Sequence, residues 1–134
     1  VKTLIMIQRI QTLYILIVII LSFLMLKLTF DFSNDIKLNS LVKTYYILYF
    51  IPVIGILALF LYKKRVIQSK MCLIMFGLNV LVLISYGLKI YEENSSFINL
   101  VLIACSIIEC ILLFMARKAI NKDENLVRSI DRIR

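Results

Sequence analysis

One carboxylate, Glu109, stands inside an apolar run that extends from Phe97 to Ala116, and it is the only acidic residue within any of the long apolar stretches of this 134-residue chain. A lone carboxylate at the centre of a helix in hydrocarbon costs about 2.5–3.5 kcal/mol on insertion scales, so Glu109 is expected to face neighbouring protein and to hydrogen-bond there. Asn79 is the partner that depth selects. At about 1.5 Å per residue, Glu109 lies ~10 Å from the Ala116 end of its run, Asn79 ~12 Å from Met71, and Gly55 ~10 Å from Tyr62. Lys27 falls roughly 14 Å beyond that level, too far for a direct ion pair. Glu109 with Asn79 suits one of two tasks: a buried bond that fixes helix packing, which is the simpler, or a proton or cation site.

Other reactive groups do not assemble. The chain has no histidine, which removes the commonest general base and metal ligand together with every Ser-His or Cys-His pair. Cys72, Cys105 and Cys110 form no C-x-x-C motif. The last two, five apart, point about 140° apart on a helix, so neither a local disulfide nor a zinc site follows. All three thiols are expected to serve as small apolar side chains. Asp31 and Asp35 could share a helical turn, but a solvated loop suits them better than a cation site. No catalytic residue, cofactor-binding residue or metal ligand is assigned, no cofactor is expected, and an enzyme is the weakest of the functional readings.

The elements that must position Glu109 follow from composition. Of the residues, 62% are hydrophobic and 18% charged, against roughly 45–50% and about 25% in soluble domains. The excess apolar surface implies an all-α polytopic membrane protein forming one domain over residues 1–134. A net charge of +8 would raise nucleic acid as a partner of a soluble protein. Here the cations cluster at the ends of apolar runs, so membrane topology explains them and no nucleic acid is expected.

Four transmembrane spans are expected, at 10–30, 44–62, 71–88 and 97–116. The first is about 21 residues, close to the ~20 that cross ~30 Å of hydrocarbon. It is read as a retained span, because KLTFDFS offers no small-residue cleavage site of a signal peptide. Translation is expected to start at Met6, since Val1 is not an ordinary first residue. Lys27 is expected to extend its amine to the far interface. Asp31–Lys43 reads as a polar connection. In the second span, tyrosines at both ends suit the interfaces, Pro52 removes one backbone hydrogen bond and predicts a kink, and Gly55 can admit a close neighbour. KKRVIQSK, residues 63–70, needs only to turn the chain, and KIYEENSS, residues 89–96, returns it. Continuous apolar runs, without strict alternation, argue for helices over the strands of a membrane barrel.

Charge then sets the side. Twelve of the 16 Lys and Arg residues fall in 1–9, 63–70 and 117–134, against Lys27, Lys37, Lys43 and Lys89 on the other face. Short loops obey the positive-inside rule, so both termini are placed in the cytoplasm. The tail, 117–134, carries Arg117, Lys118, Lys122, Arg128, Arg132 and Arg134. Leu126, Ile130 and Ile133 recur at helical spacing, and Glu124 to Arg128 is an i,i+4 pair of favourable polarity, so a short amphipathic cytoplasmic helix is expected there. It suits either anionic headgroups or a docked protein partner.

MIQRIQTLY, before the first span, and RKAINKDENLVRSIDRIR, after the last, resemble the two end signatures of a family of small four-span bacterial inner-membrane proteins known only as a domain of unknown function. The resemblance covers the chain from Met6, and its specificity rests on those two ends. It implies four helices in the inner membrane and no assigned activity. Some relatives carry a name borrowed from the transcription-termination factor Rho. This chain has no G-x-x-x-x-G-K-[ST] loop to cradle a nucleotide, so that name does not describe its function. Three functions are left: a non-catalytic structural or interaction protein of the bilayer, whose tail binds a cytoplasmic or membrane partner; a small oligomeric transporter or channel using Glu109; and a lipid-active enzyme, for which no catalytic group can be named.

Overall fold

The computed structural model describes the backbone of residues 2–33, 38–61, 63–92 and 97–131, and the side chains of 10–31, 46–61, 63–88 and 97–129. Among the described residues there is no strand, and four helices follow one another: α1 (Lys2–Ser33), α2 (Leu38–Phe60), α3 (Arg65–Glu92) and α4 (Phe97–Asp131). A helix makes its backbone hydrogen bonds within itself, which is what long apolar surroundings require.

Each helix outruns the apolar segment inside it, and this corrects the connections expected from hydropathy. The polar stretch 31–43 is helical at both ends, because α1 continues to Ser33 and α2 begins at Leu38. KKRVIQSK is mostly the opening of α3. Between α2 and α3 the Lys64 amide donates to the Leu61 carbonyl at 2.9 Å, and the Gln68 amide, starting α3, to the Lys64 carbonyl at 3.0 Å. KIYEENSS likewise begins as helix, since α3 reaches Glu92. The tail is not a short separate helix. It continues α4 to Asp131 without a break. Hydropathy registers the thickness of an apolar layer, whereas a helix persists until a breaker stops it, and residues 117–131 contain neither glycine nor proline. Of the expected tail stripe, Leu126 is exposed; the side chain of Ile130, and Ile133, lie outside the described residues, as do Asp35 and Lys37.

The helices close a ring in which α1 and α3 each pack against both α2 and α4. Gln11 meets Ala119 and Ser22 meets Glu109, so α1 and α4 run antiparallel. Ser69 with Asn121 and Asn79 with Glu109 show the same for α3 and α4. Buried positions recur alternately three and four apart: Gln11, Ile15, Val18, Ser22, Met25 and Thr29 in α1; Leu48, Ile51, Gly55 and Ala58 in α2. In α3 they are Gln68, Cys72, Met75, Asn79, Val82 and Tyr86; in α4, Asn99, Leu102, Ser106, Glu109, Leu113, Ala116, Ile120 and Asp123. A repeat averaging about 3.5 residues keeps one seam of each helix facing its neighbours when helices cross at about 20°.

α2 runs as one helix through Pro52, which is buried. Gly55 is where α2 comes closest: a Cβ there would lie 2.7 Å from Ile19 Cγ1 and 3.1 Å from Met75 Cε, whereas at Gly77 and Gly87 it would meet nothing within 4 Å. The absent side chain at Gly55 therefore admits both α1 and α3.

Polarity is reversed relative to a soluble protein. The seam holds most of the polar side chains of the long apolar stretches, while Leu13, Leu16, Ile20 and Phe23 of α1 and Ile107, Ile108, Ile111 and Phe114 of α4 are exposed. Three segments are long and apolar enough to cross a membrane, Ile10–Asp31, Arg65–Leu88 and Phe97–Ser129, and Tyr46–Phe60 is a shorter apolar segment. Exposed apolar faces on this scale mark a surface built to meet something other than water.

Candidate functional site

Glu109 is fully buried on the α4 seam. Ser22 Oγ, from α1, donates to its Oε1 at 3.0 Å, and Asn79 Nδ2, from α3, donates to its Oε2. The two residues that depth paired in the sequence are thus in contact, and a third helix joins them. Ser22 Oγ also lies 2.8 Å from the Val18 carbonyl, so its single hydrogen is shared between two acceptors. Ser106, one turn from Glu109, donates to the Leu102 carbonyl at 2.8 Å, the back-bond by which a helical serine satisfies itself. The amide oxygen of Asn79 is buried without a hydrogen-bond partner. Gly55 meets Ile19 and Met75, about one turn from the Ser22 and Asn79 level, so it shares the Glu109 level only loosely.

Above and below this trio the seam is filled mainly by apolar side chains. Toward one end, Met25, Leu26 and Val82, with Ser106 bonded back to its own helix, stand between Glu109 and a bond of 2.9 Å between Thr29 Oγ1 and the Tyr86 hydroxyl. Toward the other, Leu113, Ala116 and Ile120 occupy successive α4 seam positions before Asp123.

A second polar layer lies at that far end. Gln11 Nε2 donates to the Ala119 carbonyl at 3.0 Å, and Ser69 Oγ to Asn121 Oδ1 at 2.7 Å. Arg65 Nη1 stands 3.0 Å from Oδ2 of the fully buried Asp123. The distance makes an ion pair, but the N–H is not aimed at the carboxylate, and both oxygens lack a hydrogen bond. Neighbouring Gln68 is also buried, with its Nε2 unpartnered.

The tail cations separate into two groups. Arg128 pairs with Glu124 at 2.6 Å along α4, the i,i+4 contact expected from the spacing. Arg117, Lys118 and Lys122 line an open groove on the outer side of α4 with Phe114, Asn121 and Asn125. Arg132 and Arg134 lie outside the described residues. The structure does not bring the tail cations near Glu109, which is about 12 Å along α4 from Arg117 at ~1.5 Å per residue. Lys27 is exposed and Cys72 is buried in the seam; all three cysteines are free. Among the described residues no cluster of three His, Cys, Asp or Glu side chains could hold a metal ion.

Chemically, the Glu109 site offers a carboxylate, an amide and two hydroxyls, groups that exchange hydrogen bonds or a proton and hold a small cation by oxygen. Sequence reasoning missed Ser22, Thr29, Tyr86, Gln11, Gln68, Arg65 and Asp123. The signal available was spacing, since all but Arg65 stand on the three-and-four seam of their helix.

The family model described as "Domain of unknown function (DUF4293)" matches residues 32–133. MIQRIQTLY and most of α1, Ser22 included, precede the matched segment. No curated protein and no solved structure matches the chain. The matched segment takes in α2, α3 and α4 with Asn79, Glu109 and the basic end of α4, and the chain belongs to the DUF4293 family, a domain of unknown function.

Proposed function

We propose that this chain is a non-catalytic structural or interaction protein of the bacterial inner membrane, crossing the bilayer four times with both termini in the cytoplasm. The carrying observation is that both oxygens of the buried Glu109 accept hydrogen bonds, from Ser22 on α1 and Asn79 on α3. A carboxylate used in this way ties three helices in one register. The mostly apolar layers on either side support a packing role, since the one hydroxyl among them, that of Ser106, is spent on its own helix. In this reading the basic end of α4, beyond Ala116, recruits a cytoplasmic or membrane partner, and the four spans include α2.

One observation favours a second reading, a small oligomeric transporter or channel. The unpartnered Asn79 oxygen beside Glu109 is the kind of acceptor that a proton donor or a cation would satisfy.

Glu109→Gln separates the two. Glutamine retains one acceptor and adds a donor while removing the exchangeable acidic proton. Packing predicts a folded protein and a normal phenotype in a strain that needs the gene; an ion pathway predicts a folded protein that fails to support growth. Growth failure with a folded Glu109→Gln protein would count against the structural reading.

A further inference from the structure

We infer that the groove on the outer side of α4 just past its apolar segment is a binding site for an anionic phospholipid, with Arg117, Lys118 and Lys122 on the headgroup phosphate and Phe114 beside the acyl chains. This rests on the membrane placement proposed above.

Charge selects the site. Among the described residues, Arg117, Lys118 and Lys122 form no ion pair, and Arg117 Nε is buried without a hydrogen-bond partner. The groove of Lys63, Lys64, Arg65 and Arg128 at the same end of the molecule contrasts with it. That groove includes Glu124, which already holds Arg128, and Arg65 is engaged by Asp123. The first groove therefore carries uncompensated positive charge and the second is partly neutralised from within.

Position agrees. α4 is unbroken from Phe97 to Asp131, so at ~1.5 Å per residue Arg117 and Lys118 stand about 5 Å beyond Phe114, and Lys122 about 12 Å beyond it. A headgroup layer on each side of the hydrocarbon accounts for roughly 5–8 Å of bilayer thickness. Phe114 is well exposed at 63%, at the depth where an acyl chain would lie against it. Asn121 is anchored by the bond from Ser69 to its Oδ1, which leaves its amide nitrogen as a further donor. Cations with an amide donor among them, and an aromatic ring on the apolar side of them, match a phosphodiester with two acyl chains. Each cation close to an anionic surface contributes roughly a fivefold gain in affinity.

The test uses the full chain purified in a neutral detergent and fluorescent phosphatidylglycerol or phosphatidylcholine as probes. Wild-type protein should bind phosphatidylglycerol at least about tenfold more tightly than phosphatidylcholine. K118Q/K122Q should lose most of that preference, and K63Q/K64Q should keep it. Inorganic phosphate at millimolar concentration should not displace the bound phosphatidylglycerol. Equal affinity for the two lipids, an unchanged preference in K118Q/K122Q, or displacement by phosphate would each overturn the assignment. The substituted lysines are on the outer face of α4, and a circular-dichroism spectrum matching wild type confirms that the variant is folded. Carbonate extraction of cell membranes tests the underlying placement by itself: release into the supernatant contradicts a membrane-spanning protein, whereas retention with no lipid preference contradicts only the site.

Discussion

At the scale of single residues, the chemistry of the core is hydrogen bonding around one carboxylate. Interhelical hydrogen bonds in membranes average about 0.6 kcal/mol and reach about 1.7. Ser22→Ala, which removes one of two donors to Glu109 and also the back-bond to Val18, should therefore destabilise the protein by about that average. Glu109→Leu should cost more, about 1–3 kcal/mol, because it leaves the Asn79 amide buried without an acceptor. Unfolding of the detergent-solubilised protein by a graded denaturing detergent measures both. A Glu109→Leu variant as stable as wild type would show that the trio contributes nothing to packing. The contact of Glu109 with Asn79 was legible in the sequence because each is a polar residue within an apolar run and their depths agree. Ser22 was not, because a lone serine in a long apolar helix ordinarily satisfies itself by back-bonding to the previous turn, and nothing in its depth distinguishes it. Asp123 was hidden for another reason. It lies in the charged tail, where an acid reads as solvated, and only its seam spacing from Glu109, Leu113, Ala116 and Ile120 points inward.

At the scale of elements, the four helices were legible from the apolar runs, and their ends were not. Apolar runs record the layer in which side chains must be lipid-compatible, whereas the backbone is indifferent to that boundary. So α4 continues through RKAINKDENLVRSID, and α3 begins within KKRVIQSK. The consequence is mechanical. Ala119, Asn121 and Asp123 on α4 are held by Gln11, Ser69 and Arg65, so the first part of the tail is a packed extension of the core, and it leaves along the helix axis. How closely the elements approach depends on Gly55. The Cβ of any other residue there would press on both Ile19 and Met75, and a larger side chain would press harder. Gly55→Leu should destabilise the protein by about 1–3 kcal/mol, the ordinary cost of overpacking. Gly77→Leu, at a position open to the exterior, should be neutral or slightly stabilising, since glycine is a poor helix former. The same unfolding measurement decides this, and equal behaviour of the two variants would contradict the close approach of α2.

At the scale of the whole molecule, the polar groups of the apolar stretches are gathered into the seam, large apolar side chains face outward, and cations gather at one end. Lys63, Lys64, Arg65 and Lys70 on one side of the ring, and Arg117, Lys118 and Lys122 on another, stand within about three helical turns of each other along the axis by the contacts that join α3 to α4. In the topology proposed above, that belt lies at the cytoplasmic interface. The direction of the chain is an expectation from charge, because the positive-inside bias acts on short connections whatever the helices do within the layer. Four crossings with both termini in the cytoplasm are read out by reporters that function only outside the cytoplasm, fused within 34–37, within 93–96, after Lys64, or at Arg134. That topology gives activity at the first two and silence at the last two. Activity after Lys64 or at Arg134, or silence in both connections, would contradict it.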